Sequence, residues 1–255
     1  MFLCNASWTM RLMTLLLSSI MILCCGTGCA TLQRKLLFSP THDAPHQWLT
    51  AWKQGNDLIG YAHIVPAPRN VWLLVHGNGG QASNRGYALA SFSPEDSVYV
   101  LEYPGYGQRA GTPSLQSFNA AARDAYEFLR AEFPDKPVCV AGESIGTGAA
   151  SSLGAHPHPP DKIVLVVPFA ILRDVVGDHV PIIPPGLLVR DNWNNIEALK
   201  HYDGPLEIFA AKGDTIIPIR HAKALAASKP KAIFHEFEGN HNDWPNDGRV
   251  SIRNP

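Results

Sequence analysis

Short runs of apolar residues alternate with segments of helical periodicity along most of this 255-residue chain. The run Val71–Val75 contains no polar position, which is typical of a strand buried on both faces of a sheet. Four further runs are mostly apolar in the same way and are predicted strands: Ser97–Leu101, Val138–Ala141, Ile163–Val167 and Leu206–Ala210. Three others bring the set to about eight strands, two beside a turn at residues 54–56 and one alternating like an edge strand: Trp48–Trp52, Leu58–Val65 and Ala232–Phe237.

Segments with helical periodicity lie between these strands. The longest begins after Ser114, which we expect to cap the helix, and runs to about Glu132. Its apolar stripe consists of Phe118, Ala121, Ala122, Ala125, Phe128 and Leu129. Shorter helices are expected at Ile145–Leu153 and His221–Ala227. The alternation predicts an α/β fold, in which helices cover a mostly parallel sheet and ligand sites form at the carboxyl ends of its strands.

The first 30 residues follow a different pattern. A single cation, Arg11, precedes the apolar stretch Leu12–Leu23, which is short for a helix that spans a bilayer. No acidic residue occurs before Asp43. This arrangement predicts a signal peptide over residues 1–28, a polar leader over residues 29–45 and a folded domain over residues 46–255.

The predicted signal ends in Gly26-Thr27-Gly28-Cys29, which resembles the lipobox of bacterial lipoproteins. That resemblance implies lipidation of Cys29 and a membrane-anchored protein of the cell envelope. The sequence departs from the pattern at Gly26, where the family prefers leucine. Two alternatives remain open: a cleaved signal, giving a secreted or periplasmic protein, and an uncleaved anchor.

Composition narrows the possible function classes. Hydrophobic residues make up 45% of the chain and charged residues 17%, so a mainly disordered protein is excluded. The 21 Lys and Arg against 22 Asp and Glu lack the basic excess of a nucleic-acid-binding protein. Only Cys139 lies outside the first 29 residues, which excludes a disulfide scaffold in the folded domain.

Candidate chemistry begins where a predicted strand runs into Gly142-Glu143-Ser144-Ile145-Gly146. This G-x-S-x-G spacing between a strand and a helix presents the central serine on a strained turn, and the turn requires flanking residues without side chains. Ser144 is therefore the predicted nucleophile. Its neighbour Glu143 either shapes the mouth of the pocket or faces solvent.

A serine hydroxyl needs a base, and the chain has eleven histidines. His241 lies late in the chain, in a loop directly after the last predicted strand, and is the predicted general base. Asp214 follows the strand Leu206–Ala210 and can accept the second imidazole N–H, which fixes the tautomer. A metal site at His156 and His158, or at His42 and His46, is disfavoured because no further ligands cluster with these pairs.

A glycine-rich stretch, His76-Gly77-Asn78-Gly79-Gly80, follows the strand Val71–Val75. Glycines allow a backbone to approach a ligand closely, so the stretch predicts an oxyanion hole made by the N–H groups of Asn78 and Ile145. No Gly-Lys-Ser/Thr follows, which disfavours a phosphate-binding loop. The sequence predicts no cofactor.

Together these motifs resemble the α/β-hydrolase superfamily over roughly residues 46–245. The order Ser144, Asp214, His241 is the order of that family, and residues 76–80 are similar to its oxyanion strand and loop. The stretch at residues 103–107 looks like the family's loop after strand four, with Glu102 where an aspartate usually stands. The resemblance implies an eight-stranded, mostly parallel sheet with an antiparallel second strand, and acyl transfer through a serine ester.

Two departures from the family pattern modify this expectation. The insert before the acid covers only residues 169–201, which predicts a short cap, an open site and short or medium acyl groups. We expect the pocket walls to include residues of this insert and Tyr103 or Tyr106. The last helix is expected to be short or missing, which would leave part of one sheet face thinly covered.

The leading hypothesis is a carboxylesterase-like serine hydrolase that cleaves small-molecule esters through an acyl-enzyme. A peptidase or an acyltransferase on the same fold is the second possibility. The third is a non-catalytic envelope lipoprotein that retains the fold.

Overall fold

The computed structural model describes residues 33–35, 37–45, 48–180 and 189–253. The chain divides into two units, Met1–Leu37 and Phe38–Pro255. In the first unit the described residues, 33–35 and 37, are helical. The predicted signal peptide and Cys29 lie outside the described residues.

The second unit is built on an eight-stranded sheet with the order β1-β2-β4-β3-β5-β6-β7-β8. Its strands are β1 Thr50–Gln54, β2 Asp57–His63, β3 Val71–Val75, β4 Ser97–Leu101, β5 Val138–Glu143, β6 Ile163–Val166, β7 Leu206–Ala211 and β8 Ile233–Phe237. Strand β2 is antiparallel to β1 and β4, and the pairs from β4 to β8 are parallel. The predicted fold class, including the reversed second strand, is confirmed.

The apolar runs occupy the centre of this sheet. Every residue of β3 and β4 is buried, as expected for strands with packed elements on both faces. Leu73 of β3 lies in register between Tyr99 of β4 and Val140 of β5. The indole N–H of Trp72 donates to the buried Asp96 carboxylate at 3.0 Å, so its polar atom is also satisfied inside the core.

Five α-helices are described: α1 Leu115–Glu132, α2 Gly146–Ser152, α3 Leu172–His179, α4 Asn195–Ala198 and α5 Arg220–Ser228. The sequence predicts α1, α2 and α5 to within a residue at each end. Its stripe on α1 contains one error, because Tyr126 is fully buried whereas Phe128 is half-buried. The 3₁₀ helix Ala82–Ser91 and the helices α3 and α4 were not predicted. The first N–H of that 3₁₀ helix is held by the distant carboxylate of Glu102, a contact that periodicity does not reveal.

Residues 238–253, which follow β8, contain no helix, as expected. The expected thin covering of the sheet is wrong for this part of the chain. Trp244, Val250 and Ile252 are almost fully buried and join the core cluster that contains Trp72 and Val98. An irregular segment covers the sheet here because three of its apolar side chains point into the core.

The predicted insert at residues 169–201 contributes α3 and α4, and residues 181–188 within it lie outside the described residues. Its two ends are joined by backbone hydrogen bonds, from Leu172 N–H to the Trp193 carbonyl and from Asn195 N–H to the Ala170 carbonyl. None of the helices that the structure describes combines the length and the apolar character needed to cross a membrane.

Helix α1 begins with a capping box. The Ser114 hydroxyl accepts the N–H of Ser117 at 3.0 Å, and the Ser117 hydroxyl accepts the N–H of Ser114 at 2.9 Å. Ser114→Ala removes one acceptor from the helix N-terminus and is expected to lower the free energy of unfolding by about 1 kcal/mol. Urea unfolding followed by circular dichroism measures the change. Ser228→Ala, an exposed serine in the last turn of α5, is the matched control and should leave the midpoint nearly unchanged; equal effects would contradict the assigned cap.

Candidate active site

The turn between β5 and α2 holds Ser144 in a left-handed backbone conformation, with φ of 53°. A side chain on Gly146 would place Cβ 2.1 Å from the Val75 carbonyl oxygen, and one on Gly142 would place it 2.8 Å from the Thr147 Cα. Both glycines are therefore required by the close approach of neighbouring backbone. The G-x-S-x-G spacing reflects steric exclusion on both sides of the serine.

The structure brings Ser144, His241 and Asp214 into one hydrogen-bonded series. His241 Nε2 lies 2.8 Å from Ser144 Oγ, and His241 Nδ1 lies 2.7 Å from Asp214 Oδ2. A carboxylate accepts the Nδ1–H, so Nε2 is left as the acceptor for the serine hydroxyl. His241 lies 97 positions after Ser144 and 27 positions after Asp214 in sequence, and all three residues are buried.

The carboxylate of Asp214 is itself held in place. Its Oδ1 accepts the backbone N–H groups of Ile216 at 2.9 Å and Ile217 at 2.8 Å. Its other oxygen, Oδ2, contacts the imidazole of His241. The loop after β7 therefore fixes the direction from which the carboxylate meets the ring.

The predicted oxyanion donors flank the serine. Ile145 directly follows Ser144 and precedes α2, at the end of a helix where the first N–H groups have no intrahelical acceptor. Asn78 lies in the loop after β3, and both Asn78 and Ser144 line one cleft. The Asn78 side chain turns away to accept hydrogen bonds from the Tyr106 hydroxyl at 2.9 Å and the Ser39 N–H at 3.1 Å.

The cleft has a volume of about 590 Å³. Its described lining is rich in polar side chains: Ser39, Asn78, Arg85, Glu143, Ser144, His241, Asn242 and Asn246. Tyr87, Ile216 and Pro245 also line it. The expectation that Tyr103 or Tyr106 forms a wall is wrong, because both rings are fully buried among aromatic side chains behind the loop. No residue of the insert is among the described residues that line the cleft.

Arg85 was not among the predicted site residues, and the direction of the Glu143 side chain was left open. Glu143 does not face solvent, since its carboxylate is buried and accepts the N–H of Gly77 at 2.9 Å. Arg85 Nη1 lies 3.7 Å from that carboxylate and donates to the Tyr87 hydroxyl at 2.6 Å. One signal was present in the sequence, because Arg85 is the single charged residue between positions 77 and 94.

The opposite charges of Arg85 and Glu143 keep both side chains ionised. Burial raises the pKa of Glu143, but the positive charge of Arg85 and the N–H of Gly77 outweigh burial and bring this pKa below its ordinary value. Burial lowers the pKa of Arg85, but the Glu143 carboxylate reverses that effect and raises it. Burial and the same carboxylate raise the pKa of Tyr87 to about 12, so this hydroxyl keeps its proton.

Tyr103, His76 and Glu102 support the loop after β3, residues 76–80, on the side away from the cleft. The Tyr103 hydroxyl donates to the His76 carbonyl at 2.6 Å, and His76 Nδ1 donates to the Gly77 carbonyl at 2.7 Å. Burial lowers the pKa of His76 despite the nearby Glu102, which favours a neutral ring. Glu102, which replaces the usual aspartate, reaches the start of the 3₁₀ helix through the Ala82 N–H.

The disfavoured histidine pairs have other contacts. His156 Nε2 lies 3.1 Å from a Glu127 oxygen, while its Nδ1 approaches the His158 carbonyl at 2.9 Å. His42 Nδ1 lies 2.8 Å from the Gly107 carbonyl, and His46 is outside the described residues. Among the residues that the structure describes, no group of three or more His, Cys, Asp or Glu is arranged to hold a metal ion.

Known proteins resemble the chain in sequence. The profile of the family described as "Serine aminopeptidase, S33" matches residues 66–190. An uncharacterized protein of Mycobacterium tuberculosis is 30% identical over 239 residues, which cover 86% of this chain and 84% of that protein. Lysophosphatidylserine lipase ABHD12 of Macaca fascicularis is 28% identical over 225 residues, which cover 77% of this chain and 54% of the lipase. The matched region thus spans about half of the lipase.

Solved structures share the fold at lower identity. An esterase of Pyrococcus furiosus superimposes with a TM-score of 0.62 at 13% identity, covering 82% of this chain and 92% of the esterase. A monoacylglycerol lipase of Paleococcus ferrophilus gives a TM-score of 0.54 at 18% identity, covering 74% of this chain and 93% of the lipase. The mycobacterial relative shows that the chain belongs to the same family as that protein. Its sheet order and the solved structures show the α/β-hydrolase fold, and the S33 profile matches just under half of the chain.

Proposed function

We propose that this α/β hydrolase is a serine esterase that cleaves carboxylic esters through an acyl-enzyme. The observation that carries the proposal is the hydrogen-bonded series from Ser144 through His241 to Asp214, which opens into a cleft. A serine with this pair of partners has a base for its proton and an anion to stabilise the resulting imidazolium.

In the first half of the reaction, Ser144 Oγ attacks the ester carbonyl carbon and its proton moves to His241 Nε2. The negative charge on the former carbonyl oxygen is stabilised by the N–H groups of Asn78 and Ile145. Asp214 keeps Nδ1 protonated and stabilises the imidazolium. Collapse of the intermediate breaks the bond to the alcohol oxygen, which takes the proton from Nε2 and leaves.

In the second half, water attacks the acyl carbon and gives a proton to His241 Nε2. The same two N–H groups stabilise the second oxyanion. The bond to Ser144 Oγ then breaks, this oxygen regains the proton from Nε2, and the carboxylic acid departs. Ester and water are converted to acid and alcohol without a cofactor.

Ester substrates are supported by the relatives, since proteins named as lipases and esterases match the chain in sequence or in fold. Only three of the larger side chains that line the described cleft are apolar or aromatic: Tyr87, Ile216 and Pro245. A long acyl chain needs more apolar contact than three such side chains offer. We therefore propose short or medium acyl groups.

A peptidase is the second candidate, because the matching family profile carries the description of an aminopeptidase. The same three side chains would then form the acyl-enzyme from an amide, with His241 protonating the departing amine. Neutral aminoacyl amides and matched esters distinguish the two activities. Turnover of the amides at rates comparable to the esters would favour the peptidase.

Ser144→Ala tests the nucleophile directly. The variant is expected to lose labelling by a fluorophosphonate probe and to lose hydrolysis of p-nitrophenyl acetate and butyrate, because no oxygen remains to attack. Mass mapping of the labelled parent locates the adduct. Ser152→Ala, at the far end of helix α2, is the matched control and should retain both activities. A Ser144→Ala protein that hydrolyses these esters at the parental rate would overturn the proposal.

Asp214→Asn tests the orienting carboxylate. The change keeps the size of the side chain but removes the charge that stabilises imidazolium and fixes its tautomer. We expect kcat for p-nitrophenyl butyrate to fall by roughly 10³ to 10⁴-fold. Asp203→Asn is the control, since Asp203 is exposed and precedes β7 at the opposite edge of the sheet. Similar rates for the two variants would contradict the assigned role.

We further propose that Cys29 is lipidated after removal of residues 1–28, so that the enzyme is attached to the membrane of the cell envelope. The support is the segment Gly26-Thr27-Gly28-Cys29 after an apolar stretch. Expressed in bacteria, Cys29→Ser is expected to move from the membrane fraction to the soluble fraction. Cys25→Ser is the matched control and should stay with the membrane. Unchanged retention of Cys29→Ser would contradict lipidation there.

A further inference from the structure

The loop that carries Asn78 is held through its peptide groups by a buried ion pair. Glu143 Oε2 accepts the Gly77 N–H at 2.9 Å. Arg85 Nη2 donates to the Gly77 carbonyl at 3.2 Å and also to the Gly79 carbonyl. The Glu143 carboxylate accepts an N–H of the loop, and the Arg85 guanidinium donates to two of its carbonyls. Each charge therefore binds the end of the peptide dipole that carries the opposite partial charge.

These contacts determine where the Asn78 N–H points. The Gly77 carbonyl and the Asn78 N–H belong to one planar trans peptide group and point in opposite directions. Arg85 holds that carbonyl, with His76 Nδ1 as a second donor at 2.7 Å, and so directs the Asn78 N–H away from the guanidinium.

The preceding peptide group is held at both of its ends. Glu143 accepts its N–H from Gly77, and the Tyr103 hydroxyl donates to its carbonyl on His76 at 2.6 Å. A peptide plane fixed at both ends has little freedom to rotate, so the next plane also begins from a fixed position. Further along the loop, the peptide group between Gly79 and Gly80 is held by Arg85 at its carbonyl and by the Ser39 carbonyl at its N–H.

The pair is buried, and its charges are matched. The side chains of Arg85 and Glu143 are only 9% and 6% exposed, and Trp244 Nε1 donates to the second carboxylate oxygen at 3.3 Å. An isolated charge at such a depth would be strongly unfavourable, so each residue makes the other tolerable there. The lowered pKa of Glu143 agrees with a permanently ionised carboxylate.

Arg85 also lines the cleft, and a guanidinium there suggests a site for a substrate anion. Its contacts point to another role. Nη1 is engaged by the Tyr87 hydroxyl and the Glu143 carboxylate, while Nη2 is engaged by two loop carbonyls. Its Nε has no hydrogen-bond partner but is buried, so it is not open to the cleft. A guanidinium with both terminal nitrogens engaged next to its own counter-ion has little remaining attraction for an external anion.

We infer that Arg85 and Glu143 are positioning residues, which orient the Asn78 N–H toward the oxyanion of the reaction and do not themselves bind substrate. The inference rests on the proposed serine esterase function. It predicts that a change in Arg85 or Glu143 lowers the rate of ester cleavage. An Asn78 N–H that is rotated out of line stabilises the oxyanion of the transition state less well.

Three variants disturb the loop in different ways. Arg85→Lys keeps the charge but loses the planar fork that reaches two carbonyls and a hydroxyl. Glu143→Gln keeps an acceptor for the Gly77 N–H but removes the negative charge. Tyr103→Phe leaves the ring stacked on Phe118 and removes only the hydroxyl, so it tests the loop without burying an unpaired charge.

Glu207→Gln is the matched control for Glu143→Gln. Glu207 forms an ion pair with Lys162 at 2.7 Å, and the two side chains are 16% and 5% exposed. This pair lies near the starts of β6 and β7, at the opposite edge of the sheet from Ser144. The control is expected to lower the unfolding midpoint and to leave kcat unchanged.

Two measurements on the full-length folded protein test the inference. Steady-state kinetics on the neutral ester p-nitrophenyl butyrate should show kcat reduced by about 10- to 100-fold in Arg85→Lys and Glu143→Gln, with KM within about twofold. Tyr103→Phe should lower kcat less, again with KM unchanged. Hydrogen exchange by mass spectrometry should be faster in peptides covering residues 76–80 of all three variants and unchanged in Glu207→Gln.

The outcomes are distinct. A kcat within about twofold of the parent in all three variants, with unchanged exchange at residues 76–80, would overturn the inference. A rise in KM confined to anionic esters in Arg85→Lys would also overturn it and assign substrate binding to Arg85. Absence of fluorophosphonate labelling at Ser144 in the parent protein would overturn the proposed function, and this inference with it.

Discussion

The left-handed backbone at Ser144 is the constraint on which the rest of the site depends. Such a conformation is unfavourable by roughly 1–2 kcal/mol for a residue with a side chain, and it persists only where the surroundings enforce it. The Ser144 N–H donates to the Val166 carbonyl, and its carbonyl accepts the N–H and the hydroxyl of Thr147. Gly142 and Gly146 provide the space that neighbouring backbone then occupies. The strand, the turn and helix α2 are thereby locked together.

The parallel sheet converts distant sequence positions into neighbours. The strands β3, β5, β7 and β8 all end at one edge, and the loops that follow them carry Asn78, Ser144, Asp214 and His241 respectively. Because parallel strands repeat the same direction, each carboxyl end contributes a loop to the same cleft. The apolar core beneath supplies rigidity: β3 and β5 are buried along their whole length, so the loops emerge from strands that have little freedom to move.

The cleft is supported by an unusual amount of buried charge for a chain with 17% charged residues. Arg85, Glu143 and Glu102 are all buried around the loop after β3, and each has a hydrogen-bonded partner. Buried charges contribute little net stability, but their directional hydrogen bonds hold a backbone more tightly than apolar packing does. The arrangement suits a loop whose peptide groups need to face one defined point in space.

The sequence alone determined the α/β fold, most element positions and the grouping of Ser144, Asp214 and His241. These features depend on local signals: buried parallel strands need unbroken apolar runs, and a tight strand-to-helix turn needs glycine. Tertiary structure decided the rest. The burial of Glu143, the reach of Arg85 and the position of Tyr103 behind residues 76–80 all follow from tertiary contacts. Glu143, for example, contacts Gly77 and Trp244, which are 66 and 101 positions away in sequence. Neither the spacing of apolar residues nor a short motif encodes such contacts, because they form only after the sheet has assembled.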